Sequence, residues 1–189
     1  FVLALVTMVG LTAGLSIFFR QTSQAALRNQ MTDDAYLLSE LVGPILAHPG
    51  EQVDLNAAAQ RYAAQLNARV TFLALDGTIR GESELLARPP DNHTDRPEIQ
   101  QALREGRGYS VRASASTGKV SMYVAMLAAD GGEPVGIVRL AVPLDDIERN
   151  VRTLTRALAV GTSLSLLLIF VLGVYIAGRT SLPVRRLTE

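Results

Sequence analysis

The residues best suited to bind a small molecule lie in one short stretch, residues 92–104. Arg96 stands at the predicted start of a helix, with His93 just before it. An arginine beside the free N–H groups of a helix N-terminus can hold an anion such as a carboxylate. Three side chains on strands that we predict to face the same cleft complete the candidate site: Arg112, Lys119 and Tyr123. In the alternative interpretation Arg96 pairs with Asp95 or Glu98, and Tyr123 belongs to the core.

Catalytic and metal-binding patterns are missing from the sequence. His48 and His93 have no cysteine to accompany them, because the chain contains none, and we expect no metal site. No P-loop, G-x-S-x-G or G-x-G-x-x-G motif occurs. Gly106-Arg107-Gly108 lacks a third glycine and is typical of a helix-to-strand turn. We therefore predict no catalytic residue, metal or cofactor in this chain.

Two uncharged runs, residues 1–19 and 157–178, flank the part of the sequence that carries this candidate site. A bilayer core about 30 Å thick needs about 20 apolar residues in a helix, so both runs predict membrane spans. A signal peptide is the alternative for the first run, since Ser23-Gln24-Ala25 resembles a cleavage site, but the run exceeds the usual apolar length of such peptides. The first run begins without Met, so we expect a cytoplasmic start to precede it.

The charge balance excludes a basic nucleic-acid-binding protein. Residues 20–156 carry 15 basic and 17 acidic side chains, and residues 179–189 carry three Arg and one Glu. Arginines flank the second run on both sides, so the positive-inside rule does not orient the chain.

Apolar spacing between the two runs predicts an α+β domain with one antiparallel sheet. Asp54 is a predicted N-cap, and Thr94 or Asp95 caps the helix before Gly106, with capping-box spacing from Asp95 to Glu98. The predicted helices cover residues 27–45, 55–66 and 95–105, and the predicted strands cover 69–75, 79–82, 109–114, 120–128 and 134–142, with a Pro-rich loop over 86–94. Asp76-Gly77 and Asp130-Gly131-Gly132 mark the hairpin turns.

After Pro143 the pattern becomes helical and continues into the second run. Its apolar residues are spaced as in a coiled-coil seam, as are those of residues 27–45. We expect both helices to pair with their copies in a dimeric bundle that transmits a signal, although for the exit helix packing on its own domain fits the spacing equally well. The residues assigned to signal transmission are Leu144, Ile147, Val151, Leu154, Leu158 and, in the tail, Pro183.

Residues 92–99, with Ala102, Leu103 and Gly106, resemble the signature of extracytoplasmic PAS-like (Cache-type) sensor domains. Residues 138–144 resemble the end of such a domain in PhoR-type sensor histidine kinases. Residues 179–189, with Pro183, Arg185 and Arg186, resemble the opening of a cytoplasmic HAMP linker. Amino-acid-binding Cache domains use a motif containing Trp, and this chain has no Trp, so the resemblance does not imply that ligand.

The resemblance implies a two-span cell-membrane protein divided into a first span (1–19), an extracytoplasmic sensor domain (20–156), a second span (157–178) and the start of a HAMP linker (179–189). It further implies a homodimer, a small ligand or partner protein outside the cell, and a histidine kinase domain that uses ATP and Mg²⁺ and signals to a response regulator. The same input module on a chemoreceptor or nucleotide cyclase, or a membrane-anchored scaffold, are the alternatives.

Overall fold

The computed structural model describes residues 2–48, 53–84, 93–114 and 118–181. Residues 86–92 of the predicted Pro-rich loop, the residues Pro49 and Gly50, and the predicted HAMP segment from residue 182 onward lie outside them. The helices are α1 (Val2–Ala47), α2 (Leu55–Leu66), α3 (Pro97–Glu105) and α4 (Asp145–Ser181). The strands are β1 (Arg69–Leu73), β2 (Ile79–Glu82), β3 (Arg107–Ala113), β4 (Val120–Asp130) and β5 (Glu133–Pro143). The predicted α+β class is confirmed.

The five strands form one antiparallel sheet in the order β2-β1-β5-β4-β3. Successive side chains of a strand point to opposite faces, so the register sorts the sheet into two surfaces. Thr71 pairs with Arg139, Arg139 with Ala125, and Tyr123 with Ser110, so these five side chains share one face with α3. We call this surface the α3 face.

Helix α1 covers the opposite face. Arg28 stacks on Tyr109 at 4.3 Å, and a side chain at Gly43 would collide with the backbone of Ala129. The α1 residues Met31, Ala35, Leu38 and Val42 are at most 3% exposed within the single chain. The expectation that this stripe forms a dimer seam is wrong for these residues, because they pack on their own domain and are not free to meet a second copy.

Local signals predicted most element boundaries to within two residues. The side chain of Asp54 caps α2 by accepting hydrogen bonds from the N–H groups of Asn56 and Ala57 at 2.9 and 3.2 Å. Gly77 adopts φ 81° in the predicted β1–β2 turn. The predicted capping box at α3 is wrong, because the N-cap is Arg96 and its side chain makes no capping bond. Pro97 opens the helix with its φ already fixed.

The chain divides into two compact units, Phe1–Thr22 with Ile147–Glu189, and Ser23–Asp146. The first unit contains parts of α1 and α4, which approach each other at Ser16 and Thr155, whose hydroxyl oxygens are 3.0 Å apart. Among the described residues, Thr155–Gly178 form one stretch long and apolar enough to cross a bilayer. That stretch agrees with the predicted second span.

The second unit, Ser23–Asp146, contains the sheet, α2 and α3, and is called the sheet domain below. Within it β5 ends at Pro143, and α4 begins two residues later. Leu144 between them is buried, and its N–H donates to the carbonyl of Val120 at 2.9 Å. The exit from the sheet is therefore fixed to the start of β4.

Candidate ligand-binding site

Helix α3 lies on the sheet through a short apolar surface. Ile99 and Ala102 are fully buried in a cluster with Leu73, Ala125 and Ile137 of the α3 face. The helix ends at Gly106, which takes φ 79°, and returns at once into β3. A side chain at Gly108 would collide with the carbonyl oxygen of Glu98 in the helix. The glycine pair thus brings α3 close to the sheet, as predicted for a helix-to-strand turn.

Glu98, in the first turn of α3, is completely buried on this face. The guanidinium of Arg112 donates to both its carboxylate oxygens, at 2.6 Å from Nη2 and 3.2 Å from Nε, and the hydroxyl of Ser110 donates at 2.6 Å. Burial raises the pKa of Glu98, but these hydrogen bonds outweigh it and hold the pKa below its ordinary value. Removing this carboxylate leaves buried positive charge uncompensated, at a cost of about 3–5 kcal/mol.

Arg139, on the central strand β5, is the most deeply buried guanidinium of the site, with 3% of the residue exposed. Its Nη2 donates to the hydroxyl of Thr71 at 3.2 Å, and its Nη1 lies 3.1 Å from His93 Nδ1 and 3.8 Å from a carboxylate oxygen of Glu98. Its Nε is buried without a hydrogen-bond partner among the described residues. Burial lowers the pKa of Arg139 to about 10, so it stays charged at neutral pH.

His93 is the neutral partner of Arg139. Burial and the positive charges of Arg139 and Arg96 lower the pKa of His93 to about 4. A guanidinium only donates, so His93 Nδ1 accepts and the ring proton is on Nε2. The imidazole therefore contributes no charge at neutral pH.

A second ion pair lies beside this group at the sheet edge. Arg69 donates to both carboxylate oxygens of Glu82, at 3.0 and 3.1 Å, and the Thr71 hydroxyl donates to Glu82 at 3.0 Å. Glu84, whose side chain is 52% exposed, lies 3.7 Å from Arg69. Thr71 links this pair to Arg139, so the polar groups form one network across the sheet.

The network contains three guanidiniums and three carboxylates among the described residues. Its guanidiniums are Arg69, Arg112 and the deeply buried Arg139, and its carboxylates are Glu82, Glu98 and the more exposed Glu84. The ring of Tyr123 lies beneath two of the guanidiniums, 4.1 Å from Arg112 and 5.6 Å from Arg139. Arg139 has no carboxylate within hydrogen-bond distance among the described residues, so its buried charge favours a nearby anionic group.

A cavity of about 340 Å³ adjoins the network. Tyr123 and Arg69 belong to its wall, where they meet small polar and apolar side chains of the strand ends and of α2. The other polar residues of the wall include Ser83, Glu84, Ser114 and Ser121. A cavity of this size with a few polar groups suits a small polar ligand.

The structure brings together three of the five residues that the sequence indicates. His93, Arg112 and Tyr123 belong to the network, and Arg96 lies at its margin, 3.6 Å from Asp95. Tyr123 is also largely buried, so it serves the core and the cavity wall together. Lys119 lies elsewhere, on the turn before β4, where it pairs with Asp145 at 3.2 Å.

The sequence analysis did not select Arg139 and assigned Glu98 to a capping box or to an ion pair with Arg96. Arg139 is a single charged residue inside the apolar run of β5, between Val138 and Leu140. An inward-facing charge in such a run requires a buried partner, and this was the available signal. The identity of that partner depends on long-range pairing and could not be read locally.

The overall fold is that of Cache-like sensor domains, as the sequence resemblance implied. The sensor domain of the V. cholerae histidine kinase DctB superposes with a TM-score of 0.64 at 14% identity, covering 72% of this chain and 57% of that one. The ligand-binding domain of the Campylobacter jejuni chemoreceptor Tlp3 in complex with L-valine gives 0.58 at 15% identity, covering 77% and 63%. The E. coli DcuS sensor domain gives 0.53 at 13%, covering 71% and 98%.

These likenesses concern the fold alone. The chain spans 57% of the DctB domain and 63% of the Tlp3 domain. No known protein-family model matches the sequence. A search of curated proteins also gave no match.

Proposed function

We propose that this chain is the input and membrane-spanning portion of a sensor histidine kinase of the PhoR type. The observation that carries the proposal is the continuity of α4: one helix begins directly after β5 and includes the apolar stretch Thr155–Gly178. A displacement of the end of β5 is thereby carried along one helix toward the residues beyond the membrane. The fold shared with the DctB and DcuS sensor domains supports the assignment.

In this proposal residues 1–19 and 157–178 cross the cell membrane, residues 20–156 lie outside the cell, and a HAMP linker begins at residue 179. The cytoplasmic kinase domain binds ATP and Mg²⁺ and passes its phosphoryl group to a response regulator. The described residues contain no group of three or more potential ligands for a resident metal ion. In this proposal ATP and Mg²⁺ are the cofactors of the kinase domain.

The sheet domain binds a small ligand that carries a carboxylate. The supporting features are the buried guanidinium of Arg139, which has no carboxylate within hydrogen-bond distance among the described residues, and the adjoining cavity. Ligand binding shifts the population between two packings of the receptor by its difference in affinity for them. A partner protein acting on the same domain is the alternative stimulus.

The receptor acts as a homodimer. Tyr36, Leu37 and Leu41 of α1 are 54–62% exposed, on a side of the helix turned away from the buried stripe. In this proposal the second copy contacts these exposed apolar side chains and not the α1 stripe that the sequence predicted as the dimer seam. The exit helix, with Leu144 buried at its start and Leu158 exposed farther along, remains assigned to transmission.

Cysteine labelling tests the orientation, because the chain has no cysteine of its own. We expect a membrane-impermeant maleimide to label Glu105→Cys in intact cells, and Arg185→Cys only after permeabilisation. The opposite pattern would place the sheet domain inside the cell and refute the proposal.

A chemoreceptor is the second candidate, favoured by the likeness to the Tlp3 domain. Incubation of the full-length protein that contains this chain with ATP and Mg²⁺ distinguishes a histidine kinase from a chemoreceptor. A kinase incorporates acid-labile phosphate on histidine, whereas a chemoreceptor does not phosphorylate itself.

A further inference from the structure

Glu98 occupies the kind of position that the sequence assigned to a ligand. The sequence predicted an anion at the start of α3, held by an arginine. In the structure that anion is the chain's own carboxylate, completely buried in the first turn and held by both donors of Arg112. A bidentate guanidinium–carboxylate pair is the same interaction that a carboxylate ligand would make.

We propose that Glu98 is an internal anion that occupies Arg112 in the ligand-free protein, and that a ligand carboxylate replaces it there. Glu98 is then a specificity-determining residue, because every ligand must compete with it for Arg112. This inference rests on the proposed function, in which the sheet domain binds a small carboxylate.

Arg112 is the accessible end of the network. Its side chain is 21% exposed, whereas that of Arg139 is 4% exposed. Arg112 also stacks on Tyr123, which belongs to the cavity wall. Of the two guanidiniums next to Glu98, Arg112 is therefore the more accessible to an anion in the cavity.

A displaced Glu98 has a second partner close by. Its carboxylate oxygen is 3.8 Å from Nη1 of Arg139, within ion-pair distance but beyond hydrogen-bond length. The Nε of Arg139 has no hydrogen-bond partner among the described residues. A small movement of Glu98 toward Arg139 keeps the Glu98 carboxylate paired while the ligand pairs with Arg112. Neither Glu98 nor Arg112 is then left without an ion-pair partner.

The exchange also sets the charge of the ligand. With Glu82, Glu84 and Glu98 in place, each guanidinium of the network already has a carboxylate within ion-pair distance, so a ligand carboxylate pairs with Arg112 only as Glu98 moves to Arg139. A second ligand carboxylate at the same place would be left without a guanidinium. The wild-type site therefore prefers a monocarboxylate, and loss of Glu98 opens it to a dicarboxylate.

Chemical rescue of Glu98→Ala tests this, with the full chain in detergent micelles and thermal unfolding followed by tyrosine fluorescence. Sodium propionate serves as the monocarboxylate, sodium succinate as the dicarboxylate, and sodium chloride at equal ionic strength as the control. We expect propionate and succinate to raise the unfolding midpoint of Glu98→Ala by roughly 5 °C at about ten times their dissociation constants. Wild type should respond about tenfold more weakly to propionate and not to succinate.

Two further variants locate the effect. Glu105→Ala removes an exposed carboxylate from the same helix and should respond like wild type. Adding Arg112→Gln to Glu98→Ala should abolish the rescue. A rescue that survives this double substitution would mean that the anion binds elsewhere, and would overturn the inference.

Glu98→Gln is a second variant for the case that Glu98→Ala does not fold. It keeps the volume of the side chain and removes its charge. If neither substitution strengthens the response to propionate, Glu98 has a structural role only and the inference is wrong. The proposed function fails separately, if wild type responds to no ligand while Glu98→Ala is still rescued.

Discussion

Protonation of His93 should destabilise the sheet domain in mildly acidic solution. The imidazole is 9% exposed, and its Nδ1 accepts a hydrogen bond from Arg139. A proton on Nδ1 removes that acceptor and places a second positive charge 3.1 Å from a buried guanidinium. The perturbation we choose is a change from pH 7 to pH 4.5, with His93→Gln as the comparison.

The magnitude follows from the two pKa values. The folded-state pKa of His93 is about 4, below the unfolded value of about 6.5, so the folded chain binds fewer protons between these values. Stability is therefore fully present above the unfolded pKa and falls as the pH drops toward the folded one. Linkage gives a loss of about 2.4 kcal/mol in the free energy of unfolding between pH 7 and pH 4.5.

The assay is urea unfolding of the chain in micelles at the two pH values, followed by tyrosine fluorescence. His93→Gln retains a hydrogen-bond acceptor but cannot titrate. Carboxylates such as Glu98 also affect stability as the pH falls, but they do so in both proteins. The difference between the two pH-dependent losses therefore isolates His93.

We expect wild type to lose about 2 kcal/mol more than His93→Gln over this range. Equal losses in the two proteins would show that His93 is not buried against a charged Arg139. A larger loss in His93→Gln than in wild type would show that protonation of His93 stabilises the folded chain, which is the opposite of this prediction.

Three other predictions concern packing and transmission. Gly108→Ala should lower the free energy of urea unfolding by about 1–3 kcal/mol, because the added carbon collides with the backbone of Glu98; a loss below about 0.5 kcal/mol would contradict this contact. Leu37→Glu should shift the chain from dimer to monomer in analytical ultracentrifugation without lowering its stability, and an unchanged dimer would exclude that face. One residue inserted within residues 148–155 turns the following helix by about 100° and should lock or abolish kinase output in the full-length parent. Unchanged output would refute transmission through a continuous helix.

Local signals in the sequence were sufficient to predict most of the secondary structure. The cap at Asp54, the turn at Asp76-Gly77 and the helix end at Gly106 depend on a few adjacent residues, and the structure confirms all three. The cap of α3 was wrong because Pro97 begins that helix without a capping side chain. The capping-box spacing from Asp95 to Glu98 and the proline at residue 97 both marked the start of α3. Spacing alone did not show which of them determines how the helix begins.

Partners distant in sequence could not be read in the same way. Periodicity showed that Met31, Ala35 and Leu38 share a side of α1, but it does not say whether a sheet or a second copy covers them. Glu98 meets Arg112 and Arg139 only because β3, β4 and β5 pair in the observed register. The polar network is therefore a property of the assembled sheet.

The central claim, that the sheet domain senses a small carboxylate, is tested most directly by a thermal-shift series on the chain in micelles. The panel contains monocarboxylates, dicarboxylates, amino acids, inorganic anions and metal ions, with Arg112→Gln as the control. We predict a saturable rise in the unfolding midpoint with a monocarboxylate, lost in the control. No rise with any member of the panel would contradict direct chemical sensing.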